Sequence, residues 1–383
     1  MTGAAGKSIP TGAAGNAIVT GTAGSLTVDL DAIAANWRHL AAMAAPAQCA
    51  AVVKADGYGL GAREIARRLR PEGCRYFFVA HLEEAIALKP VVPDATVIAL
   101  NGLLAGDEET FVAHDIVPAL NDPGQIALWS GHARGRERRL PALIHLDTGM
   151  NRVGLQPADV AALAQDGRAA LQGIDLLFWM SHFACADIQD HPLNGEQLVH
   201  FAQALKRLPP APASLANSSG IFLGPSAHFD LVRPGAALYG INPTPWAANT
   251  MQPVAVLTGK IVQIHEVDTG SSVGYGAEWR AQRPSRVATV AVGYADGYLR
   301  SLQGGAVVAA GAARLPVIGR ISMDLITVDV TDASQPLAPG QSVELLGPHI
   351  PIDELGERAR TIGYEILTQL GKRYHRRYQG AVA

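Results

Sequence analysis

Two textures divide the chain. From about residue 25 to 240, short apolar runs of β-forming residues alternate with segments whose apolar positions recur at helical spacing. The runs fall at 49–54, 76–80, 96–100, 116–120, 142–147, 175–183 and 214–218. Between them, helices are predicted over Asp31 to Ala45 with Asp31 as its cap, Ala62 to Leu69, Leu82 to Leu88 and Gly195 to Leu208. Apolar strands that alternate with helices bury both faces, as a parallel sheet requires. Roughly eight such units suit a closed barrel better than an open sheet. After Pro253 the runs 254–267, 286–294, 313–321, 325–330 and 342–347 follow one another with only short turns, which reads as antiparallel β structure. A helical tail is expected from Ile352 to about Arg373.

The expected class is therefore α/β, an N-terminal TIM-type (β/α)8 barrel over 25–245 with a C-terminal β-rich domain over 246–383. A length of 383 residues fits two cores. Residues 1–24, rich in Gly, Ala, Thr and Ser without a signal-like apolar core, read as a disordered tail.

Composition narrows the partners. A formal charge of −3 argues against nucleic acid or an anionic membrane surface, both of which favour basic patches. No apolar run is long enough to span a bilayer. Cys49, Cys74 and Cys185 are odd in number and far apart, so a reducing cytoplasm is expected rather than a disulfide framework. His182 and Cys185 find no second pair to complete a metal site, and none is expected.

The most informative segment is AVVKADGYGLGA, 51–62, where an apolar strand delivers Lys54 to its C-terminal end and a glycine-rich turn follows. In parallel α/β folds those strand ends form the active face. Gly57, Gly59 and Ala62 also match G-x-G-x-x-A of dinucleotide sites, but Lys54, Ala55 and Asp56 separate the strand from the first glycine, where the fingerprint starts at the strand end.

The company of Lys54 decides between these readings. VDLDAIAANW (28–37), VVKADGYGLGA (52–62), LDTGMNRVG (146–154), SHFACAD (181–187), ANSSG (216–220), VRPGAALYG (232–240), VGYGAEW (273–279), VGYADGY (292–298), GRISMD (319–324) and TIGYE (361–365) occur in this order. With them the chain resembles the alanine racemases, barrel-type enzymes that use pyridoxal 5′-phosphate (PLP), over nearly its whole length. The resemblance implies interconversion of L- and D-alanine, supplying D-alanine for peptidoglycan. A broader racemase acting on serine is the alternative. Barrel-type PLP decarboxylases lack the motifs at Tyr275 and 322–324, and single-domain PLP-binding proteins lack everything after Pro253.

The same resemblance assigns roles. Lys54 is implied to carry PLP through its amine and to act as one base. Tyr58, Asn217, Ser218, the backbone of Gly235 and Ala236, and Tyr364 are implied to hold the cofactor, chiefly its phosphate. Arg233 is implied to face the pyridine nitrogen and keep it unprotonated. Tyr275 is implied as the acid/base on the opposite face, made more acidic through His182, which links it toward Arg233. Arg152 and the N–H of Met323 would clamp the substrate carboxylate, and Tyr294, Asp324 and Tyr364 would narrow the approach. Tyr275, Tyr294, Met323 and Asp324 enter from a neighbouring subunit in this family, which implies a head-to-tail homodimer.

One position departs from the family. Two residues before Asp147, where many members carry a carbamate-modified lysine supporting the arginine, this chain has His145. Beside a permanent guanidinium, a histidine is expected to favour its neutral form.

Overall fold

The computed structural model describes residues 23–381 apart from 135 and 137. The expected tail therefore lies outside the described residues, except that Gly24 opens a strand, Gly24–Asp29.

The first unit is the expected barrel. Ala51–Val52, Tyr76–Val79, Thr96–Ala99, Val117–Leu120, Leu140–His145, Ile174–Met180 and Ala213–Ser214 form a seven-stranded parallel sheet in chain order. Leu231–Val232 closes it. This strand pairs in parallel with Gln48–Cys49, Val52 N donates to Pro234 O, and Arg233 N donates to Ala216 O on the other side. Fully buried Phe77, Phe78, Val97, Ile98, Leu143 and Ile144 show why these runs read as apolar without alternation.

Several boundaries differ from the sequence reading. The strand expected over 214–218 stops at Ser214, which leaves Asn217 and Ser218 in a loop at the strand's C-terminal end. The first helix is Leu30–Ala44, and its cap is Asp29, whose carboxylate accepts from Ala32 N, rather than Asp31. Helices Glu108–Ala113, Pro123–Arg134 and Pro157–Ala170 fill gaps the pattern left open.

The second unit is the expected β-rich body. The long strand Ala255–Val267 pairs antiparallel with both Ser342–Leu346 and Ser285–Val290, which closes the sheet on itself. Gly24–Asp29 joins it, between Ala255–Val267 and His375–Gln379. The helical tail is two short helices, Ile352–Arg358 and Gly363–Gln369, followed by that last strand. The tail returns to the barrel, where Arg376 Nη1 donates to Gly59 O at 2.6 Å and Asp353 accepts from Asn242 N. Among the described residues, no helix is long and apolar enough to cross a membrane.

Candidate active site

The C-terminal ends of the barrel strands open into a cavity of about 940 Å³, within the size range of small-ligand sites. Lys54, Tyr58, Arg152, His182, Asn217, Ser218, Arg233, Gly235, Ala236 and Tyr364 all line it, as does His145. Tyr275, Tyr294, Met323 and Asp324 do not.

Lys54 leaves its strand into a turn of unusual hand. Ala55, Asp56, Gly57 and Tyr58 have φ of +53°, +53°, +62° and +54°, so one glycine and three other residues sit consecutively in the left-handed region. Each non-glycine residue there costs about 1–2 kcal/mol. The turn is held at both ends, since Gly57 N donates to Val53 O at 2.8 Å and Gly61 N to Asp56 O at 2.8 Å. Burial and the Arg152 charge hold the Lys54 pKa below the ordinary lysine range, with Glu84 opposing. A lysine so placed gives up its proton more readily than one in water.

At another wall, Ser218 Oγ accepts from Gly235 N at 2.9 Å and Ala237 N at 3.2 Å. Tyr58 stacks on Tyr239 at 4.5 Å between ring centres, and Tyr364 stands 6.0 Å from Tyr58. Gly235 is required here. A Cβ would meet the Tyr58 hydroxyl at 2.4 Å. The Ser218 and Tyr58 hydroxyls meet the backbone of Gly235 at this wall, polar groups suited to an anion with several oxygens.

Arg233 is buried, and its guanidinium donates to Ser214 Oγ, to Ser181 O at 2.6 Å and toward His182 Nδ1 at 3.3 Å. Burial lowers its pKa to about 9, so it stays charged at neutral pH. Burial and then the Arg233 charge push His182 well below the usual histidine range. A neutral His182 whose Nδ1 accepts from Arg233 must carry its proton on Nε2. The 3.5 Å approach of Asn217 Nδ2 to that nitrogen is then a contact of two donors, because Asn217 Oδ1 is fixed by Gly220 N at 2.9 Å.

Arg152 rides on a loop that Asp147 organises. One carboxylate oxygen accepts from Gly149 N, Met150 N and Asn151 N at 2.9–3.1 Å, and the other from Gln156 Nε2 at 3.1 Å. Burial opposes ionisation, yet these donors hold Asp147 below the usual carboxylate range. His145 shows the expected preference for neutrality. Burial, Arg233 and Arg152 lower its pKa to about 4 against the pull of Asp147. Asn121 sets its tautomer. The Asn121 amide donates to Leu100 O and Ala119 O, so its Oδ1 must accept from His145 Nδ1, at 2.9 Å. The lone pair of His145 Nε2 is left for the cavity side.

The sequence reading assigned no role to Asn121, Asp147 or Gln197. Gln197 is fully buried, donates to His182 O at 2.9 Å and accepts from Ala184 N at 2.9 Å, which fixes the loop bearing His182. Its signal was a polar residue one helical turn from Phe201 and Leu193 on a face that otherwise packs.

The remaining four residues gather on the second unit. Tyr294 N donates to Ser322 O, Ala295 N to Met323 O, and Gly276 lies against Arg320, which pairs with Glu278. Tyr275, Met323 and Tyr294 are 69%, 54% and 42% exposed, so this chain presents them to solvent rather than to its own cavity. Asp324 pairs with Arg373 at 2.8 Å.

Comparison with known proteins agrees with this geometry. Residues 28–243 match the family model "Alanine racemase, N-terminal domain" and residues 254–378 "Alanine racemase, C-terminal domain". An alanine racemase of Rhodospirillum rubrum is 49% identical over 93% of this chain and 96% of its own length. A protein of Mesorhizobium japonicum named "Alanine racemase, catabolic" is 49% identical over 93% of both chains. Among solved structures, the alanine racemase of Bartonella henselae, with covalently bound pyridoxal phosphate, superposes with a TM-score of 0.90 at 40% identity, over 94% of this chain and all of that one. The biosynthetic alanine racemase of Pseudomonas aeruginosa gives 0.87 at 36% identity, over 94% and 99%. The chain belongs to the alanine racemase family, whose members are isomerases.

Proposed function

We propose that this enzyme racemises alanine with pyridoxal 5′-phosphate as cofactor, Lys54 serving one face of the substrate Cα and Tyr275 of a second copy the other. The cavity suits that group. Lys54 offers the primary amine, the Ser218 and Tyr58 hydroxyls beside Gly235 offer partners for an anion, and buried Arg233 lies between strand ends on the same cavity. When bound, the cofactor supplies an electron sink for the Cα–H bond. A charged Arg233 beside the cofactor's ring nitrogen would temper that sink and favour simple return of the proton.

The observation that carries the two-base reading is that Lys54 lines the cavity while Tyr275 lies outside it, 69% exposed on its own chain. Burial pushes the hydroxyls of Tyr58 and Tyr364 up, and His182 carries its proton on Nε2. Tyr275, exposed on its own chain, is available to a neighbour in a head-to-tail homodimer. There His182 Nε2–H and the Arg233 charge would favour its phenolate. Arg152 and the Met323 N–H of the second copy would clamp the substrate carboxylate, with Tyr294, Tyr364 and Asp324 narrowing the entrance.

Tyr275→Phe should lower racemisation at least ~100-fold. In deuterated water the variant should still exchange the α-proton of D-alanine, the enantiomer assigned to Lys54. Equal loss of exchange from both enantiomers would contradict the assignment. A broader serine racemase is not favoured, since the relatives above carry the name alanine racemase. Supply of D-alanine for peptidoglycan in the cytoplasm is the proposed role. Because one relative is named catabolic, D-alanine auxotrophy on gene deletion is the observation that decides for supply.

A further inference from the structure

The strained turn under Lys54 has a fixture outside the cavity wall. Glu84 lies at the third position of helix Leu82–Leu88, where its carboxylate caps that helix by accepting from Ala80 N at 2.8 Å and His81 N at 3.2 Å. Its other oxygen accepts from Ala55 N at 2.6 Å, on the neighbouring strand end. One carboxylate thus joins the ends of two adjacent barrel strands, Ala51–Val52 and Tyr76–Val79.

We infer that Glu84 is a positioning residue for Lys54, acting through the Ala55 N–H to hold the left-handed turn from which the lysine projects. A helix cap needs only one of its oxygens. The second is spent on the first left-handed residue after Lys54, the point where the chain would otherwise relax to a right-handed turn. Lys54 shares the cavity with Tyr58 of its own turn and with His145, Arg152, His182, Arg233, Tyr364 and Glu365 from other elements. Of the charges that act on it most, Arg152 disfavours the ammonium form and Glu84 favours it. Glu84 thereby limits how far the amine is driven toward its neutral state, and it does so while bonded to Ala55 N rather than by a hydrogen bond to the amine itself.

The inference rests on Lys54 as the reactive amine, and the test needs no turnover. In the full chain, hydrogen exchange of the peptide spanning 53–58 should quicken roughly ten-fold in Glu84→Gln, the equivalent of one lost charge-assisted bond. Exchange in Ala255–Val267 should stay unchanged. After release of any bound cofactor with hydroxylamine, acetylation of Lys54 followed by mass spectrometry should titrate at lower pH than in the parent protein. Glu84→Asp, which keeps the charge but shortens the reach, should restore that titration without restoring protection at 53–58. The inference is overturned if Glu84→Gln speeds exchange only in 82–88, as a mere cap would, or leaves Lys54 unmoved. A parent protein that failed to racemise alanine would count against the proposed function alone.

Discussion

His145 shows how one residue's surroundings become a property of the folded state. Folding buries it between the charges of Arg233 and Arg152 and fixes Nδ1–H on Asn121. The unfolded chain protonates such a histidine near pH 6.5, the native chain only near 4. Between those values the unfolded state binds the extra proton, so stability falls as pH falls. Above 6.5 both states are neutral, and the residue contributes no slope. From pH 7.5 to 5.0 the penalty is about 2 kcal/mol. Urea unfolding at fixed protein concentration should show His145→Gln losing that much less stability than the parent over this interval. The same pH dependence in both proteins would mean that His145 titrates normally. In the sequence, His145 was legible as the residue standing two before Asp147, where the family carries its modified lysine. Asn121, 24 residues earlier, gave no sign, because tautomer selection is a contact between strands that no local pattern encodes.

At the scale of elements, helices Ala62–Leu69 and Leu82–Leu88 were legible to the residue. Their apolar spacing is clear, and Gly61 and His81 end the preceding segments. Helices Pro123–Arg134 and Pro157–Ala170 were not, since small and polar residues blur the apolar stripe that marks a helix. The left-handed turn was read only as glycine-rich. Ala55 and Asp56 have no strong preference for that region, and what imposes it comes from Glu84 and from helix Gly363–Gln369, far along the chain. That helix packs close enough that a Cβ on Gly59, whose φ is +80°, would meet Leu367 O at 2.3 Å. Gly59→Ala should therefore cost at least about 2 kcal/mol, from the left-handed backbone plus displacement of a main chain that cannot rotate away. Thermal unfolding checks this. An unchanged Tm would mean that the helix is not seated on the turn.

Over the whole molecule, the alternation of strands and helices followed by strands alone was sufficient for a barrel and a β-rich body. The sequence pattern did not place Gly24–Asp29 in the second sheet, nor did it return His375–Gln379 beside it, because both pairings join chain segments hundreds of residues apart. Nor does periodicity say which chain a residue serves. Ten of the implied site residues meet in one cavity, while Tyr275, Tyr294 and Met323 form an exposed face on the other unit, the kind of surface that marks an interface. A shared site has a consequence that a self-contained one lacks. On the proposed shared site, Lys54→Ala and Tyr275→Phe would each disable every site in their own dimers. A mixed dimer would keep one intact site, built from the Lys54 of one copy and the Tyr275 of the other. Equimolar mixing with full subunit exchange should therefore restore about a quarter of the parent activity, since about half the dimers are mixed and each has one working site. Activity that stays at the level of the separate variants, with exchange proven by mass spectrometry of differently tagged chains, would contradict the account.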